Sequence, residues 1–220
     1  MMIGRPSPII DDLVRRILMV DAHVLILDKP AGMAVHPGPA TPHSLEAHLI
    51  GLRQGFVRSP QPAHRLDRDT SGCLVLARHP KALKRLTALF AAGRVAKTYL
   101  ALVDGAPDGD EGEVDLPLLK VSTAADGWRI VVDPSGKSAL TRWRVLRRGT
   151  QSLIEFTPAT GRTHQIRVHA ATLGTPISGD PIYGAGQGPM RLHAQQIVVP
   201  YGEDREAIVA TAPLPEGWPE

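Results

Sequence analysis

The feature that most constrains the fold is the division of the chain into short segments by turn-forming residues. Apolar or alternating runs of strand length are separated by turn signals such as Asp126-Gly127 and Pro134-Ser135-Gly136, which is typical of hairpins between neighbouring antiparallel strands. We therefore expect an α+β fold with a largely antiparallel mixed sheet flanked by helices and loops. The runs that predict strands are 24–27, 73–77, 98–103, 128–133, 140–146, 152–156 and 195–199.

Three other segments show helical spacing. Leucines recur at that spacing behind Ser44, which is a candidate N-cap, and a second helix opens at Pro80 and ends near Gly93. A third apolar stripe ends at Gly174. These patterns predict short helices that cover the sheet.

The length of 220 residues, 43% of them hydrophobic, is sufficient for the core of one large domain. Prolines and glycines are spread over the loops and do not mark a linker. We expect an N-terminal extension over residues 1–20, a single catalytic domain over 21–215 and a C-terminal tail over 216–220. The first twenty residues and the proline-rich end after Thr211 are expected to be mobile or wrapping tails.

Composition also narrows the cellular setting. The first sixteen residues carry two acids and three arginines where a secretory signal has an apolar run, and no 18 consecutive apolar residues occur. The single cysteine, Cys73, cannot form an intramolecular disulfide and lies in an apolar run typical of a buried strand. We expect a cytoplasmic protein without membrane attachment and, because no long apolar stripe calls for a partner chain, a monomer.

Charge is unevenly distributed along the chain. Residues 51–100 hold ten Lys and Arg against two acids, a balance of +8, whereas 101–120 hold six acids and one lysine. Such a basic block suits a phosphate backbone. An uneven but merely solvated surface explains the pattern equally well.

Candidate chemistry concentrates in the segment HRLDRDTSG, residues 64–72, which precedes the apolar run 73–77. A polar turn there delivers the Asp67 carboxylate to the edge of a strand. Arg65 and Arg68 flank Asp67 and favour its ionised form, which can act as a nucleophile or a base. From spacing alone, a structural salt bridge in a basic loop is an equal alternative.

The same nine residues match in full the motif that carries the catalytic aspartate in the RluA family of pseudouridine synthases. AGMAVHPG at 31–38, KTYLALV at 97–103 and GRTHQIRVHA at 161–170 resemble further family segments in the expected order. GDPIYG at 179–184 and RLHA at 191–194 extend the resemblance to nearly the whole chain. The chain is thus identified as a compact member without the S4-type RNA-binding domain. Val-Pro-Tyr at 199–201 departs from the His-Pro that is more frequent in the family.

The resemblance implies a role for each matching residue. Asp67 corresponds to the aspartate that attacks the target uridine, and Tyr99 to the tyrosine that stacks on the base and handles a proton. Arg167 matches the basic residue that pairs with the aspartate, and it would project from its helix away from the apolar stripe. The further substrate-binding positions are His64, Arg65, Leu66, Arg68, Thr70, Arg162, His164 and Leu192.

The family reaction converts uridine to pseudouridine without redox chemistry, so it requires no cofactor and no metal. The histidines form no HExxH or Cys/His ligand set, and no GxGxxG or GxxxxGK[ST] loop is present. The predicted partner is structured RNA, either ribosomal RNA, transfer RNA or both. Asp67 has three open routes: attack on C1′, addition to C6, or deprotonation of the ribose.

Two other functions are consistent with a basic chain of this kind. One is a non-catalytic RNA-binding or ribosome-assembly protein, which would have no need of a carboxylate in a positive site. The other is an RNA hydrolase that uses Asp67 and Asp69 as paired acids, although no metal-ligand set accompanies them.

Overall fold

The structure, a computed structural model, describes residues 7–38, 43–123, 127–202 and 206–219. The chain forms two compact units, Met1–Val95 with Gln196–Pro213 and Ala96–Gln195 with Leu214–Glu220. In chain order the helices and strands are α1 (Pro8–Arg15), β1 (Ile17–Val20), β2 (Val24–Lys29), a 3-10 helix (Leu45–Leu52), β3 (Gln61–Pro62), β4 (Ser71–Ala77), α2 (Pro80–Ala91), β5 (Ala96–Asp104), β6 (Glu111–Asp115), β7 (Leu118–Thr123), β8 (Gly127–Val132), β9 (Leu140–Arg147), β10 (Gln151–Pro158), α3 (Gln165–Thr172), β11 (Leu192–Val199) and β12 (Ile208–Thr211).

In the first unit, β2 pairs antiparallel with β1 on one side and β4 on the other, and β3 adds a short pairing with β4. The apolar run in β4 is buried on both faces, which explains why it lacks the alternation of a half-exposed strand. Helix α2 turns Ala82, Leu86 and Leu89 into the same core. Its first turn is capped by the Nδ1 atom of His79, which accepts the Ala82 N–H at 3.1 Å.

Of the two alternatives for the N-terminal tail, mobile or wrapping, residues 8–20 follow the second, since they form α1 and β1 and pack against the unit. Leu13 on α1 is fully buried, and Arg16 binds the Asp28 carboxylate on β2 at 3.1 Å. The short helix opens with a proline and buries a single side chain. One buried residue in two turns is too weak a pattern to distinguish a helix from a loop in the sequence.

In the second unit, the strands follow the order β5, β10, β9, β6, and each pairing is antiparallel. Strands β7 and β8 form a separate hairpin, and the Asp126 half of the turn predicted there lies outside the described residues. The core packs Val103, Trp143, Phe156 and Ile166 together. Strand β6 was not predicted because four of its five residues are exposed, leaving Val114 alone as an apolar signal.

The fold is α+β and largely antiparallel, as the sequence predicts. Cys73 is buried in β4, and burial raises the pKa of its thiol to about 12, so the thiol has little tendency to ionise. Among the described residues, no helix combines the length and apolar character needed to cross a membrane. The division into a single catalytic domain stays a prediction.

Candidate active site

The turn that carries Asp67 joins β3 to β4 in the first unit. The Asp67 carbonyl accepts the Thr70 N–H at 3.2 Å, which closes the turn, and Gly72 takes a positive φ of 105° as β4 begins. Thr70 is buried, whereas Asp67 is half-buried. The local backbone therefore presents this carboxylate just before a strand whose residues are buried from Gly72 onward.

Two of the predicted substrate-binding residues anchor this turn. The Nε2 atom of His64 accepts the Val75 N–H at 3.0 Å, and its ring stacks on Phe90 with centroids 4.3 Å apart. Leu66 is buried. Arg65, by contrast, is exposed.

Arg68, which flanks Asp67 in the turn, forms an ion pair with the other acid of the motif. Its guanidinium turns to the neighbouring Asp69 and donates from Nε at 3.0 Å and from Nη2 at 3.1 Å. Because this pair is exposed, it contributes little to stability. It does, however, keep the Asp69 carboxylate occupied.

A buried cation that the sequence did not predict lies beneath the turn. Lys29, at the end of β2, is fully buried. Its ammonium donates to the carbonyl oxygens of Pro30 at 2.7 Å, Met33 at 2.8 Å and Arg68 at 3.0 Å. These three bonds use every hydrogen of the ammonium and tie the Asp67 turn to the segment after β2.

Burial lowers the pKa of Lys29 to about 7, while the charges of Asp69 and Asp67 oppose that shift. A neutral amine has only two hydrogens, so deprotonation would break one of the three carbonyl bonds. The protonation state of Lys29 therefore bears directly on the geometry of the turn. The only signal in the sequence is a lysine at the end of an apolar run, and that signal is weak because most lysines are exposed.

In the second unit, Arg167 on α3 is buried and forms a bidentate ion pair. Its Nε atom donates to Asp180 Oδ2 at 2.7 Å and its Nη2 atom to Oδ1 at 2.8 Å. Asp180 belongs to the GDPIYG segment at 179–184, and the sequence predicted no role for it. The pairing of Arg167 with Asp67 stays a prediction.

Asp180 is held by backbone groups as well. Its Oδ1 atom also accepts the N–H groups of Ile182 at 2.9 Å and Tyr183 at 3.1 Å. Burial alone would raise the pKa of Asp180, but the hydrogen bonds from Arg167 and these amides lower it below the usual value. Asp180 is therefore a fixed anion that orients the guanidinium.

The segment leading into α3 is fixed by Gln165. Its Oε1 atom accepts from Thr160 Oγ1 at 2.7 Å and from the Arg162 N–H at 2.9 Å, and its Nε2 atom donates to Thr141 Oγ1 at 2.9 Å. Arg162 is exposed, with Nε bonded to the Ser138 carbonyl at 3.0 Å. The role of Arg162 in substrate binding stays a prediction.

The other predicted residues of this unit lie in its apolar core or beside it. Tyr99, half-buried on β5 opposite Phe156, packs against the cluster that also contains Ile166 and the buried Leu192. The structure thus brings Tyr99, Leu192 and the first turn of α3 into one packed group. His164 is buried and takes a positive φ of 54° at the start of α3.

No group of three or more His, Cys, Asp and Glu residues in the described ranges is placed to hold a metal ion. His169 is fully buried with Nδ1 2.9 Å from Thr141 Oγ1, and burial lowers its pKa. That environment is structural. An open cavity of about 440 Å³ on β6, β9 and β10 holds none of the predicted site residues.

Residues 23–172 match the family described as RNA pseudouridylate synthase. This match covers more than half of the chain, so the chain belongs to that family and is an isomerase that acts on RNA.

An uncharacterized RNA pseudouridine synthase of Zymomonas mobilis is 49% identical, and the match covers 94% of this chain and 96% of that protein. The ribosomal large subunit pseudouridine synthase D of the same organism is 40% identical over 79% of this chain and 57% of its own length. Human RNA pseudouridylate synthase domain containing 4 has a similar structure, with a TM-score of 0.80 and 27% identity over 94% of this chain and 92% of that chain.

Proposed function

We propose that this enzyme converts specific uridines of structured RNA to pseudouridine with Asp67 as its catalytic carboxylate. The observation that carries the proposal is the Asp67 turn itself. It is closed by Thr70, anchored by His64 and tied to β2 by the buried Lys29. A merely solvated acidic loop needs none of these supports.

The reaction breaks the N1–C1′ bond of uridine, joins C5 to C1′, releases the C5 hydrogen as a proton and adds a proton to N1. It requires a carboxylate, a proton relay and a fixed geometry, which side chains alone supply. Attack on C1′, addition to C6 and deprotonation of the ribose all begin from an ionised Asp67. Tyr99 is the proposed stacking partner and proton carrier, and Arg167 is the proposed partner of the carboxylate.

Each of these routes requires the target uridine to be unstacked and flipped out of the RNA. Because this costs a few kcal/mol, uridines in loops or weakly paired regions are favoured as substrates. Exposed cations would hold the backbone around such a site without reading its sequence. The exposed cations proposed for this role are Arg58, Arg65, Arg68, Lys81, Lys84, Arg85, Arg94 and Arg162, and the half-buried Arg53 is proposed with them.

We propose ribosomal RNA of the large subunit as the first substrate to test, with transfer RNA as the second. Relatives named ribosomal large subunit pseudouridine synthase C and D, 36% and 40% identical, support this order. A ribosomal RNA substrate would also agree with the cytoplasmic location that we propose for the enzyme.

A transcriptome-wide carbodiimide map of pseudouridine tests the proposal in cells that lack the gene. The cells are complemented with either the natural protein or Asp67→Ala. Sites restored only by the natural protein are expected, and they identify the RNA. Equal restoration by the variant would remove Asp67 from the chemistry, and no dependent site would favour the RNA-binding alternative.

An incubation with end-labelled RNA separates isomerisation from hydrolysis. The strand is expected to keep its length while pseudouridine forms. Shortening of the strand would instead support the paired-acid hydrolase.

A further inference from the structure

The hairpin of β7 and β8 carries an exposed tryptophan that makes a specific contact. Trp128 is 43% exposed, and its ring lies on that of His164 with centroids 5.0 Å apart and planes tilted by 31°. The ammonium of Lys120 lies 4.7 Å from the same indole ring. The hairpin is therefore docked on the residue that precedes α3.

His164 also contacts Tyr183 and so connects it to Trp128. Its Nδ1 atom lies 2.9 Å from the Tyr183 hydroxyl, and the two rings meet edge to face at 5.6 Å. The hydroxyl also accepts the Ile130 N–H of β8 at 2.9 Å, so its own hydrogen is available to the imidazole. Two separate points of the hairpin thus fix one tyrosine.

Tyr183 in turn touches both members of the buried ion pair. The guanidinium carbon of Arg167 lies 5.2 Å from the centre of the Tyr183 ring, and the Tyr183 N–H donates to Asp180 Oδ1. A displaced tyrosine would therefore move the carboxylate and the guanidinium together.

We propose that Trp128 is a positioning residue for Arg167, acting through His164 and Tyr183. The proposal rests on the proposed function only in assigning Arg167 to the reaction. The physical reason is that a two-stranded hairpin is marginally stable alone and takes its position from what it packs against. The indole supplies that packing at the outer end of the hairpin.

A positioning role of Trp128 can be distinguished from a role in holding the hairpin on the protein, because the hairpin also packs on α3 through other residues. Leu118 and Ile130 are buried against Val168 of α3 and hold the hairpin base without Trp128. Removing the exposed indole should therefore leave the fold intact while loosening the ring contacts.

The kinetic test compares Trp128→Ala with Val132→Ala, a 37% exposed position on the same strand that takes no part in the ring contacts described. Trp128→Ala is expected to lower kcat about ten- to a hundredfold with KM unchanged, as a small misplacement of a catalytic group does. Trp128→Phe should restore most of kcat. A raised KM with unchanged kcat would make Trp128 a simple RNA contact and overturn the proposal.

A second readout is independent of catalysis. The Arg167 side-chain Nε–H signal, assigned by its loss in Arg167→Lys, is followed by nitrogen-15 NMR in the RNA-free protein. Trp128→Ala is expected to shift this signal and speed its exchange with water, whereas Val132→Ala is not. An unmoved signal would overturn the proposal even if the enzyme is active. A moved signal would support the positioning role even if the natural protein forms no pseudouridine, which would count against the proposed function alone.

Discussion

Arg167 and Asp180 face each other as a buried bidentate ion pair, with nitrogen–oxygen distances of 2.7 and 2.8 Å and exposures of 5% and 0%. The pair fixes the plane of a guanidinium that the RluA resemblance assigns to the active site. Its first role is therefore orientation, since buried ion pairs often contribute little net stability.

Removing only one member of the Arg167–Asp180 pair should lower the free energy of unfolding considerably. Asp180→Ala removes the bidentate carboxylate from the buried Arg167 cation, and it also removes the acceptor of the Ile182 and Tyr183 N–H groups. We expect a loss of about 3–5 kcal/mol in the free energy of unfolding, measured by urea denaturation. Arg167→Met combined with Asp180→Leu should lose less, because neither charge remains. A single-variant loss below about 1 kcal/mol contradicts the account.

Lys29 predicts a specific pH dependence of stability. Its pKa is about 7 in the folded protein against an ordinary value of 10.5, so the unfolded chain binds more protons between these values. Stability should therefore rise with pH in this window, by up to about 1.4 kcal/mol per pH unit. The difference in unfolding free energy between the natural protein and Lys29→Met, measured from pH 6 to 10, should show this rise. A flat difference would mean that the three carbonyls keep Lys29 charged.

Tyr99 is predicted to act through its hydroxyl. Tyr99→Phe keeps the ring in the apolar cluster and removes only the oxygen, so RNA binding should be unchanged while the single-turnover rate falls about 10²-fold or more. Rapid-quench measurement with saturating enzyme checks this. An unchanged rate would restrict Tyr99 to stacking.

The exposed cations of α2 are predicted to contact the RNA backbone. Lys81→Ala, Lys84→Ala and Arg85→Ala together should weaken binding to different RNA sequences alike, and they should reduce the slope of log K against log salt by up to about 2 to 3. Filter binding at several salt concentrations measures both effects.

The matched control for this experiment is Arg142→Ala with Arg144→Ala, since these arginines are also exposed but lie beside Glu113 and Glu155. Equal effects of the two sets would indicate a general charge effect and no binding face on α2.

The sequence predicted those elements whose burial leaves a strong local pattern. The buried run of β4 and the apolar stripe of α2 were found in place, because the residues that determine them are neighbours in sequence. The exposed edge strand β6 and the short helix α1 were missed. Each buries a single side chain, so their formation depends on long-range pairing and packing.

The candidate site shows the same division. The turn around Asp67 could be located from its motif, whereas the ammonium of Lys29 comes from 38 positions earlier in the chain. Asp180 stands 13 residues after Arg167 and shares no periodic pattern with it. Such partners are brought together by the fold, and a single sequence does not reveal them.

The most direct test of the central claim measures tritium release from RNA that contains uridine labelled at C5, because joining C5 to C1′ expels that hydrogen. Asp67→Asn is compared with Asp69→Asn, a neighbouring carboxylate already bound by Arg68. We predict that Asp67→Asn binds RNA normally and releases tritium at least about 10³-fold more slowly, while Asp69→Asn stays close to the natural protein. Release by Asp67→Asn at the natural rate would contradict the assignment of this carboxylate to the chemistry.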